Sequence, residues 1–383
     1  MNKAKDCCLC NSAMTPIWSI KNGVAPNLYL KDSSQEQTST QDLMFCEECQ
    51  IIENVHHFSE DNLFGDYVYR TPATNMDDEI VEFLSSYIKK NNIKNVVEVA
   101  GNNATFAKKI LNMLPEEDNL KYTIIDKVPL EHNDSRLFHV NAFLTKSELN
   151  NIPNLDCQLV IVRHALAHNK NVLNFFKDIN EILKPNQIYI ENASLISTYE
   201  KKDYSQLYSE HFFSLSPFFV KKMGELFNFK TSDIKEFKIH NGSFGIMLDK
   251  NSDNTKIQNQ LTLSSVDLRN SILEWTIEVH DFWAKLKKKN INILVWGCSA
   301  KFLFTYSALN LKNIVPVSFI VDSTPEKNNL YAPGTSVQVS SEEIIENLDN
   351  DIVFVIGARN FREFIEPKIL EKLPNAEIYC PPF

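Results

Sequence analysis

Two Cys-x-x-Cys pairs near the start of the chain carry its strongest chemical signal. Cys7 and Cys10 form the first pair, and Cys46 and Cys49 form the second. Two such pairs can surround one zinc ion tetrahedrally with four thiolates. An all-cysteine shell leaves no position open for water or substrate, so we expect a structural zinc ion. Cys8 lies beside the first pair and could replace Cys7 as a ligand.

The alternative for these cysteines is a pair of disulfides in a secreted protein. No signal-peptide pattern precedes the first cysteine pair. Three of the other cysteines, Cys157, Cys298 and Cys380, lie in apolar stretches without a pairing pattern. The sequence therefore favours zinc and predicts a reducing, cytoplasmic location.

The composition limits the class of protein. The chain has 383 residues, of which 43% are hydrophobic and 23% are charged, as in a soluble globular protein of two or three domains. Its longest apolar runs, such as residues 293–296, are too short to span a membrane. A net charge of −10 argues against a nucleic-acid surface. We expect small-molecule partners, with neither nucleic acid nor membrane, and the oligomeric state stays open.

The elements that must position any site alternate between strand and helix. Residues 1–75 are turn-rich and have too little apolar area to fold without metal. An amphipathic helix is predicted over 76–91. Strands are then predicted over 95–99, 122–125, 158–162 and 187–191, with helices over 105–113 and 172–183. This order predicts an α/β fold with a parallel sheet covered on both faces by helices.

A second alternation follows a polar linker over 250–260. It has a helix over 266–289 and strands over 291–296, 319–321 and 352–356. The chain thus divides into a zinc-binding module (1–75), a central Rossmann-like domain (76–255) and a smaller C-terminal Rossmann-like domain (256–383).

The turn after the first central strand could hold a cofactor. Class I methyltransferases bind the methionine part of S-adenosylmethionine over a strand–turn–helix unit similar to residues 96–106. Glu98, Gly101 and Asn102 are the candidate contacts, and Asp126 could accept bonds from the ribose hydroxyls. Only Gly101 stands where two or three glycines are usual. A plain βαβ unit without cofactor is the alternative.

Several further fragments occur in a defined order along the chain. They are Cys49-Gln50, Asp66-Tyr67-Val68-Tyr69, residues 188–192, residues 208–216, residues 297–301, residues 322–327 and residues 333–335. Together with the cysteine pairs and the turn, this order resembles the sugar C-methyltransferases that act on nucleotide-linked 4-keto-6-deoxysugars. That family has a zinc-binding module, a central S-adenosylmethionine domain and a C-terminal α/β domain, and the resemblance covers nearly the whole chain.

The resemblance implies a catalytic stretch at Tyr208-Ser209-Glu210-His211. Carbon methylation beside a ketone needs a base for the α-proton and a donor for the enolate oxygen. The implied base is His211, and Tyr208 could donate to the keto oxygen. Glu210 could orient the imidazole or bond a sugar hydroxyl.

Other positions receive roles by the same resemblance. His168 is a second base or substrate ligand, and His164 is the weaker candidate of that pair. Tyr67 and Tyr69, two residues apart, would point to the same side of an extended segment and reach the cofactor and substrate. Lys301, at a predicted helix start, could help to hold a nucleotide diphosphate. For each, a structural role is the alternative.

The chain also departs from the family pattern. Ser209 stands where histidine is usual, Ser214 where tyrosine is common, and Arg359 where tryptophan is frequent. Two other functions therefore remain open. One is methylation of an oxygen or nitrogen on the same fold, and the other is a zinc-stabilised scaffold that has lost the cofactor.

Overall fold

The fold comprises three β-sheets with helices between them. It is known from a computed structural model that describes residues 5–59, 63, 77–149, 155–253, 261–289, 291–347 and 352–382. The three sheets contain four, seven and six strands. The two larger sheets are mainly parallel, which confirms the predicted α/β class.

The amino-terminal part contains an antiparallel sheet where the sequence predicts mostly turns. Its strands β1 (Thr15–Val24), β2 (Thr38–Cys46) and β3 (Ile51–Val55) are joined by β9 (Phe213–Ser214), which comes from the proposed catalytic stretch. Leu43 and Phe45 on β2 are fully buried. The sequence missed this sheet because a fourth strand and part of its core come from distant residues.

The central sheet has the order β10-β11-β8-β7-β4-β5-β6. Its strands are β4 (Asn95–Val99), β5 (Lys121–Ile125), β6 (Leu137–Val140), β7 (Leu159–Arg163), β8 (Gln187–Ala193), β10 (Lys230–Phe237) and β11 (Ser243–Asp249). Strands β4 to β8 run parallel, as predicted for β4, β5, β7 and β8, whereas β6 was not predicted. The sequence analysis did not predict β10 and β11, which pair antiparallel at one edge.

Nine α-helices connect or cover these strands in the described part of the chain. They are α1 (Asp78–Lys90), α2 (Thr105–Met113), α3 (Lys146–Leu149), α4 (Val172–Asp178), α5 (Leu195–Glu200), α6 (Pro217–Leu226), α7 (Ser265–Lys287), α8 (Ala300–Ala308) and α9 (Arg362–Lys372). The single helix predicted over 172–183 is α4 followed by a wider π-helical turn at Ile179–Leu183. Helix α7 begins with a reciprocal cap between Ser264 and Asp267.

The C-terminal sheet has the order β14-β15-β13-β12-β16-β17. Its strands are β12 (Asn292–Trp296), β13 (Phe319–Val321), β14 (Tyr331–Ala332), β15 (Val337–Ser340), β16 (Ile352–Ile356) and β17 (Glu377–Tyr379). All neighbouring pairs are parallel except β14 and β15.

One aromatic core joins the amino-terminal sheet to the C-terminal domain. Trp275 and Trp283 on α7 are fully buried. The Trp18 ring from β1 meets the Trp275 ring edge-on at 5.9 Å, and Trp283 packs 5.5 Å from Tyr306 of α8. The small amino-terminal sheet is therefore stabilised by packing as well as by its cysteines.

Among the residues that the structure describes, none of the helices has both the length and the hydropathy that crossing a bilayer requires.

Candidate functional site

The four predicted cysteines form one cluster. The sulfur atoms of Cys7, Cys10, Cys46 and Cys49 all lie within 4.8 Å of one another. Those of Cys10 and Cys46 are 3.6 Å apart, and no disulfide joins any cysteine. Tetrahedral zinc with Zn–S bonds of about 2.3 Å requires sulfurs roughly 3.8 Å apart. The donor set therefore fits zinc, and the cluster contains Cys7 rather than Cys8.

The two Cys-x-x-Cys turns have the same pattern of backbone hydrogen bonds. The amide of Asn11 donates to the Cys7 carbonyl at 3.0 Å, and the amide of Gln50 donates to the Cys46 carbonyl at 2.8 Å. Asn11 and Gln50 both have positive φ values, 59° and 53°. The Gln50 side chain also bonds the backbone N–H and carbonyl of Leu263, just before α7. The turn after the second cysteine pair thus holds the start of α7.

The turn between β4 and α2 keeps a glycine-type backbone with few glycines. Ala100, Asn102 and Ala104 have φ values of 60°, 49° and 61°, in the left-handed region that glycine favours. The sequence left open whether a turn with a single glycine still binds the cofactor. Alanine and asparagine adopt the left-handed conformation in this turn, which costs some conformational strain.

Gly101 lies against a buried carboxyl group. A Cβ atom at this position would be 3.0 Å from Cγ2 of Ile124 and 3.2 Å from Oε2 of Glu98. The Tyr122 hydroxyl donates to the same Glu98 oxygen at 3.0 Å. Burial raises the pKa of Glu98 to about 7. The Glu98 side chain therefore packs against the turn. A side chain at position 101 would displace Ile124 or Glu98, so glycine is the residue that fits there.

Asp126 fixes the turn from the neighbouring strand. Its Oδ2 accepts from the Asn102 amide at 2.8 Å, and its Oδ1 accepts from the Val128 amide at 2.7 Å. Each carboxylate oxygen can accept a second bond. Asp126 can therefore hold the turn and still offer acceptors at the carboxyl ends of the strands, and its contact with ribose hydroxyls stays a prediction.

The C-terminal domain repeats this arrangement. Asp322 accepts from the amides of Cys298 and Thr324 at 2.7 and 2.9 Å, as Asp126 does in the central domain. Here the Lys327 ammonium lies 3.0 Å from the Asp322 carboxylate and donates to the Cys298 carbonyl. The Tyr29 hydroxyl donates to that carbonyl at 2.8 Å. Side chains of the protein thus cover the second turn, which leaves the central turn as the cofactor candidate.

The two predicted basic residues His168 and His211 lie together. Their ring centres are 4.7 Å apart. Nδ1 of His211 donates to the Gln206 carbonyl at 2.7 Å, and Nδ1 of His168 donates to the Glu210 carbonyl at 2.8 Å. Because a carbonyl only accepts, each ring carries its lone pair on Nε2, the tautomer that a base requires.

Both imidazoles are neutral near pH 7. Burial, with the charge of His168, holds the pKa of His211 well below 6.5. Burial also lowers the pKa of His168 to about 4, against the opposing effect of its bond to Glu210. Neither ring therefore requires a prior deprotonation to act as a base.

Tyr208 and Glu210 occupy different surroundings. The Tyr208 ring lies 4.1 Å from the His211 ring, within the same cluster. The Glu210 carboxylate is fully buried and accepts from the Asn27 amide at 3.1 Å and the Ser209 hydroxyl at 3.2 Å. Burial raises the pKa of Glu210 to about 7. The predicted role of orienting His211 is carried by the Gln206 carbonyl instead.

A buried ionic network lies beside the helix that follows the β4 turn. The Arg163 guanidinium lies 3.7 Å from the ring centre of Phe106, in the first turn of α2. Its Nε donates to Oε2 of Glu191 at 2.5 Å, and Nε2 of His164 lies 2.9 Å from Oε1 of the same residue. The charge of His164 in turn lowers the pKa of His211. Sequence analysis assigned Glu191 no role, although an acid in an apolar strand was a visible signal.

Lys301 connects the C-terminal domain to the same region. Its ammonium lies 3.2 Å from Oδ2 of Asp203, a carboxylate that is 2% exposed. The Asn241 side chain donates to the same oxygen at 3.0 Å. Lys301 thus has an ion-pair partner within the chain, and its predicted contact with a nucleotide diphosphate stays a prediction. Tyr67 and Tyr69 lie outside the described residues.

A family model matches the C-terminal part of the chain. Residues 239–373 match the model described as C-methyltransferase C-terminal domain. The match covers about a third of the chain and confirms the prediction that it is a methyltransferase. No curated protein sequence matches the chain.

Solved structures of methyltransferases resemble part of the chain. Magnesium protoporphyrin IX methyltransferase from Synechocystis PCC 6803 with bound SAH has 9% identity and a TM-score of 0.35, covering 45% of this chain and 82% of that one. An O-methyltransferase family protein from Burkholderia thailandensis has 11% identity and a TM-score of 0.35, with coverages of 46% and 57%. The CurJ carbon methyltransferase has 10% identity and a TM-score of 0.35, with coverages of 46% and 54%. These similarities are too low to bear on the reaction or substrate.

Proposed function

We propose that this chain is an S-adenosylmethionine-dependent C-methyltransferase that acts on a nucleotide-linked keto-deoxysugar. The observation that carries the proposal is the His168–His211 pair, in which both rings are neutral and each Nδ1 donates to a backbone carbonyl, so that Nε2 is the acceptor. The family match at residues 239–373 supports the reaction class. The ordered motifs of the sequence support the sugar substrate.

The turn and its neighbouring acid would hold the cofactor. The backbone at residues 100–104 would approach the methionine part, where Gly101 leaves space, and Asp126 would accept from the ribose hydroxyls. When bound, S-adenosylmethionine supplies an electrophilic methyl group on a sulfonium, which the enolate carbon takes up with release of a neutral thioether.

The protein's own groups handle the proton and the oxygen charge. Nε2 of His211 takes the proton from the carbon beside the ketone, and the electron pair of that C–H bond passes into the enolate. The Tyr208 hydroxyl donates to the enolate oxygen as negative charge develops there. The ring centre of His168 lies 4.7 Å from that of His211, and His168 lowers the pKa of this base. Tyr208, His168 and His211 are half-buried, which limits the access of water to the carbanion.

Two measurements test the proposal. Wild-type protein incubated with S-adenosylmethionine and a panel of nucleotide keto-sugars should add one methylene mass to one of them, as seen by mass spectrometry. Solvent deuterium should enter the ring carbon when S-adenosylhomocysteine replaces the methyl donor. Mass gain without exchange at carbon would indicate methylation of oxygen or nitrogen and contradict the proposed chemistry.

A substitution at His211 tests its assignment as the base. His211→Asn should bind S-adenosylhomocysteine like the wild type in calorimetry, yet lose methyl transfer by about a hundredfold or more. His280→Asn is the matched control, because this imidazole lies on α7 and bonds the Leu309 carbonyl. Normal turnover by His211→Asn would remove His211 from the mechanism.

A further inference from the structure

The backbone segment that orients His211 and His168 is itself bonded to the amino-terminal sheet. Its five successive carbonyls, at residues 206–210, each accept a hydrogen bond from a side chain. The first accepts from Nδ1 of His211, and the last accepts from Nδ1 of His168. The three between them accept from Asn54 on β3 and from His56, which directly follows β3. The segment that fixes both imidazoles is therefore bonded along its length to one end of β3.

We propose that Asn54 and His56 are positioning residues of the methylation site. They hold the carbonyls of residues 207–209 and, through this backbone, the Tyr208 ring and the His211 imidazole. The proposal rests on the proposed function, because it concerns the base and the hydrogen-bond donor of C-methylation. The family match begins at residue 239, and the sequence motifs give neither position a role.

Asn54 bonds two neighbouring carbonyls with one amide group. Its Nδ2 donates to the Leu207 carbonyl at 3.1 Å and to the Tyr208 carbonyl at 3.2 Å, while Oε1 of Gln41 lies farther away at 3.4 Å. The Tyr208 carbonyl also accepts from the backbone amide of His211 at 2.9 Å. Asn54 is 4% exposed, so its amide depends on these acceptors within the protein. A single carbonyl thus connects Asn54 to the backbone of the proposed base.

His56 holds the next carbonyl of the segment. Its Nε2 donates to the Ser209 carbonyl at 2.8 Å, and its Nδ1 accepts from the Phe58 amide at 3.3 Å. Because a carbonyl only accepts and an amide N–H only donates, these partners select the neutral ring with its proton on Nε2. The ring also stacks on Phe212, with the ring centres 5.1 Å apart. The orientation of His56 is therefore fixed on both ring nitrogens and on one face.

Backbone bonds hold the far end of the same segment. The Phe212 carbonyl accepts from the Asn54 amide at 2.8 Å, and the Phe212 amide donates to the Ala167 carbonyl at 2.8 Å. Ala167 precedes His168, so Phe212 links β3 to the second imidazole. Strand β9 then continues the pairing with β3. These backbone bonds do not depend on side chains, so a substitution at position 54 or 56 removes only the restraint on residues 207–209.

The role predicts a particular kinetic signature. A base displaced by about 1 Å can slow a reaction by about a hundredfold. The restraint acts on groups that interact most strongly with the transition state. Its loss should therefore lower kcat and leave KM for the sugar nucleotide unchanged.

Amide hydrogen exchange, measured by mass spectrometry, tests the contact without a substrate. His56→Phe keeps a ring against Phe212 and removes the donor to the Ser209 carbonyl. His56→Gln removes the ring and keeps an N–H donor near the position of Nε2. We expect a peptide that contains residues 207–212 to exchange about tenfold faster in His56→Phe and close to the wild-type rate in His56→Gln. Wild-type exchange in His56→Phe would overturn the proposal.

Steady-state kinetics with S-adenosylmethionine and the keto-sugar nucleotide that the wild type methylates test the consequence. We expect kcat to fall about tenfold in His56→Phe and about a hundredfold in Asn54→Leu, with unchanged KM for the sugar. Binding of S-adenosylhomocysteine in calorimetry should stay at the wild-type value in both. His56→Gln should retain kcat, because it retains the donor. If Asn54→Leu does not fold, the two His56 variants decide by the same criterion.

His57→Phe is the matched control. His57 is the exposed neighbour of His56, so this variant should exchange and turn over like the wild type. Wild-type kcat in both His56→Phe and Asn54→Leu would overturn the proposal. Equal losses of kcat in His56→Phe and His56→Gln would also overturn it, because they would assign the effect to the ring and not to the hydrogen bond. Wild-type protein that methylates no keto-sugar would instead refute the proposed function, whatever the exchange rates of the variants.

Discussion

The buried carboxyl group of Glu210 makes the stability of the protein depend on pH. Burial raises its pKa from an ordinary value of 4.5 to about 7. Because the folded-state pKa is the higher one, the folded protein holds this proton more tightly than the unfolded chain. The resulting stabilisation is complete below pH 4.5 and is lost as the pH rises to about 7. The pKa difference corresponds to about 3 kcal/mol.

Glu210→Gln isolates this contribution. A glutamine oxygen can still accept from the Asn27 amide, and its NH₂ can donate to the Ser209 hydroxyl, so the neutral form of the site is imitated. Relative to wild type, the free energy of unfolding of this variant should rise by about 3 kcal/mol between pH 4.5 and pH 8. The buried Glu98, which has a similarly raised pKa, is present in both proteins and cancels in the difference.

Urea unfolding of the zinc-loaded protein at several pH values measures this difference. Glu82→Gln on the exposed face of α1 is the control for the loss of a surface carboxylate. A Glu210→Gln difference that does not change between pH 4.5 and pH 8 would refute the reasoning.

Three more predictions concern the cysteine cluster, the β4 turn and the Lys301–Asp203 ion pair. Cys46→Ser should remove the bound zinc, as determined by atomic absorption, whereas Cys8→Ser should retain one zinc per chain; zinc loss in both would contradict the four-cysteine cluster. Gly101→Val should abolish calorimetric binding of S-adenosylhomocysteine by clashing with Ile124 and Glu98, whereas Ala100→Gly should bind normally and gain up to about 1 kcal/mol of stability by relieving its positive φ. Lys301→Gln should cost about 3 kcal/mol in thermal unfolding, because it leaves Asp203 buried and without its cation; a loss below roughly 0.5 kcal/mol would show that the pair is unimportant.

The elements around the cofactor turn were predictable because local patterns determine them. Strand β4 and helix α2 have the bounds that the sequence predicted, since a continuous buried strand and a helical apolar face are signals within ten residues. The amino-terminal sheet was missed because β9 and the core around Trp275 come from more than 150 residues away. Such contacts leave no periodic signal.

The residues of the candidate catalytic cluster could be predicted from the sequence, but their hydrogen bonds could not. The sequence motifs identified His211 and His168, and the structure brings them together. The groups that orient both rings are backbone carbonyls, of Gln206 and Glu210, and every residue has a carbonyl. Residue type therefore carries no information about these partners. Which carbonyl each imidazole bonds depends on the backbone conformation around the two histidines.

The conformation of the turn between β4 and α2 could not be predicted from its number of glycines. Counting glycines underestimated how many residues of the turn have left-handed φ values, because alanine and asparagine can adopt these values at some cost when the surroundings enforce them. Here Asp126 and the β4–β5 pairing supply that constraint. The sequence showed which residues were absent, and the structure shows that their conformation is retained.

The most direct test is a crystal structure of the protein with S-adenosylhomocysteine. The thioether sulfur should lie over the turn at residues 100–104, with the ribose hydroxyls bonded to Asp126 and the Nε2 atom of His211 facing the same cavity. Density for the ligand on the C-terminal turn at residues 297–299, or a sulfur directed away from the histidine pair, would contradict the shared cleft on which the proposed reaction depends.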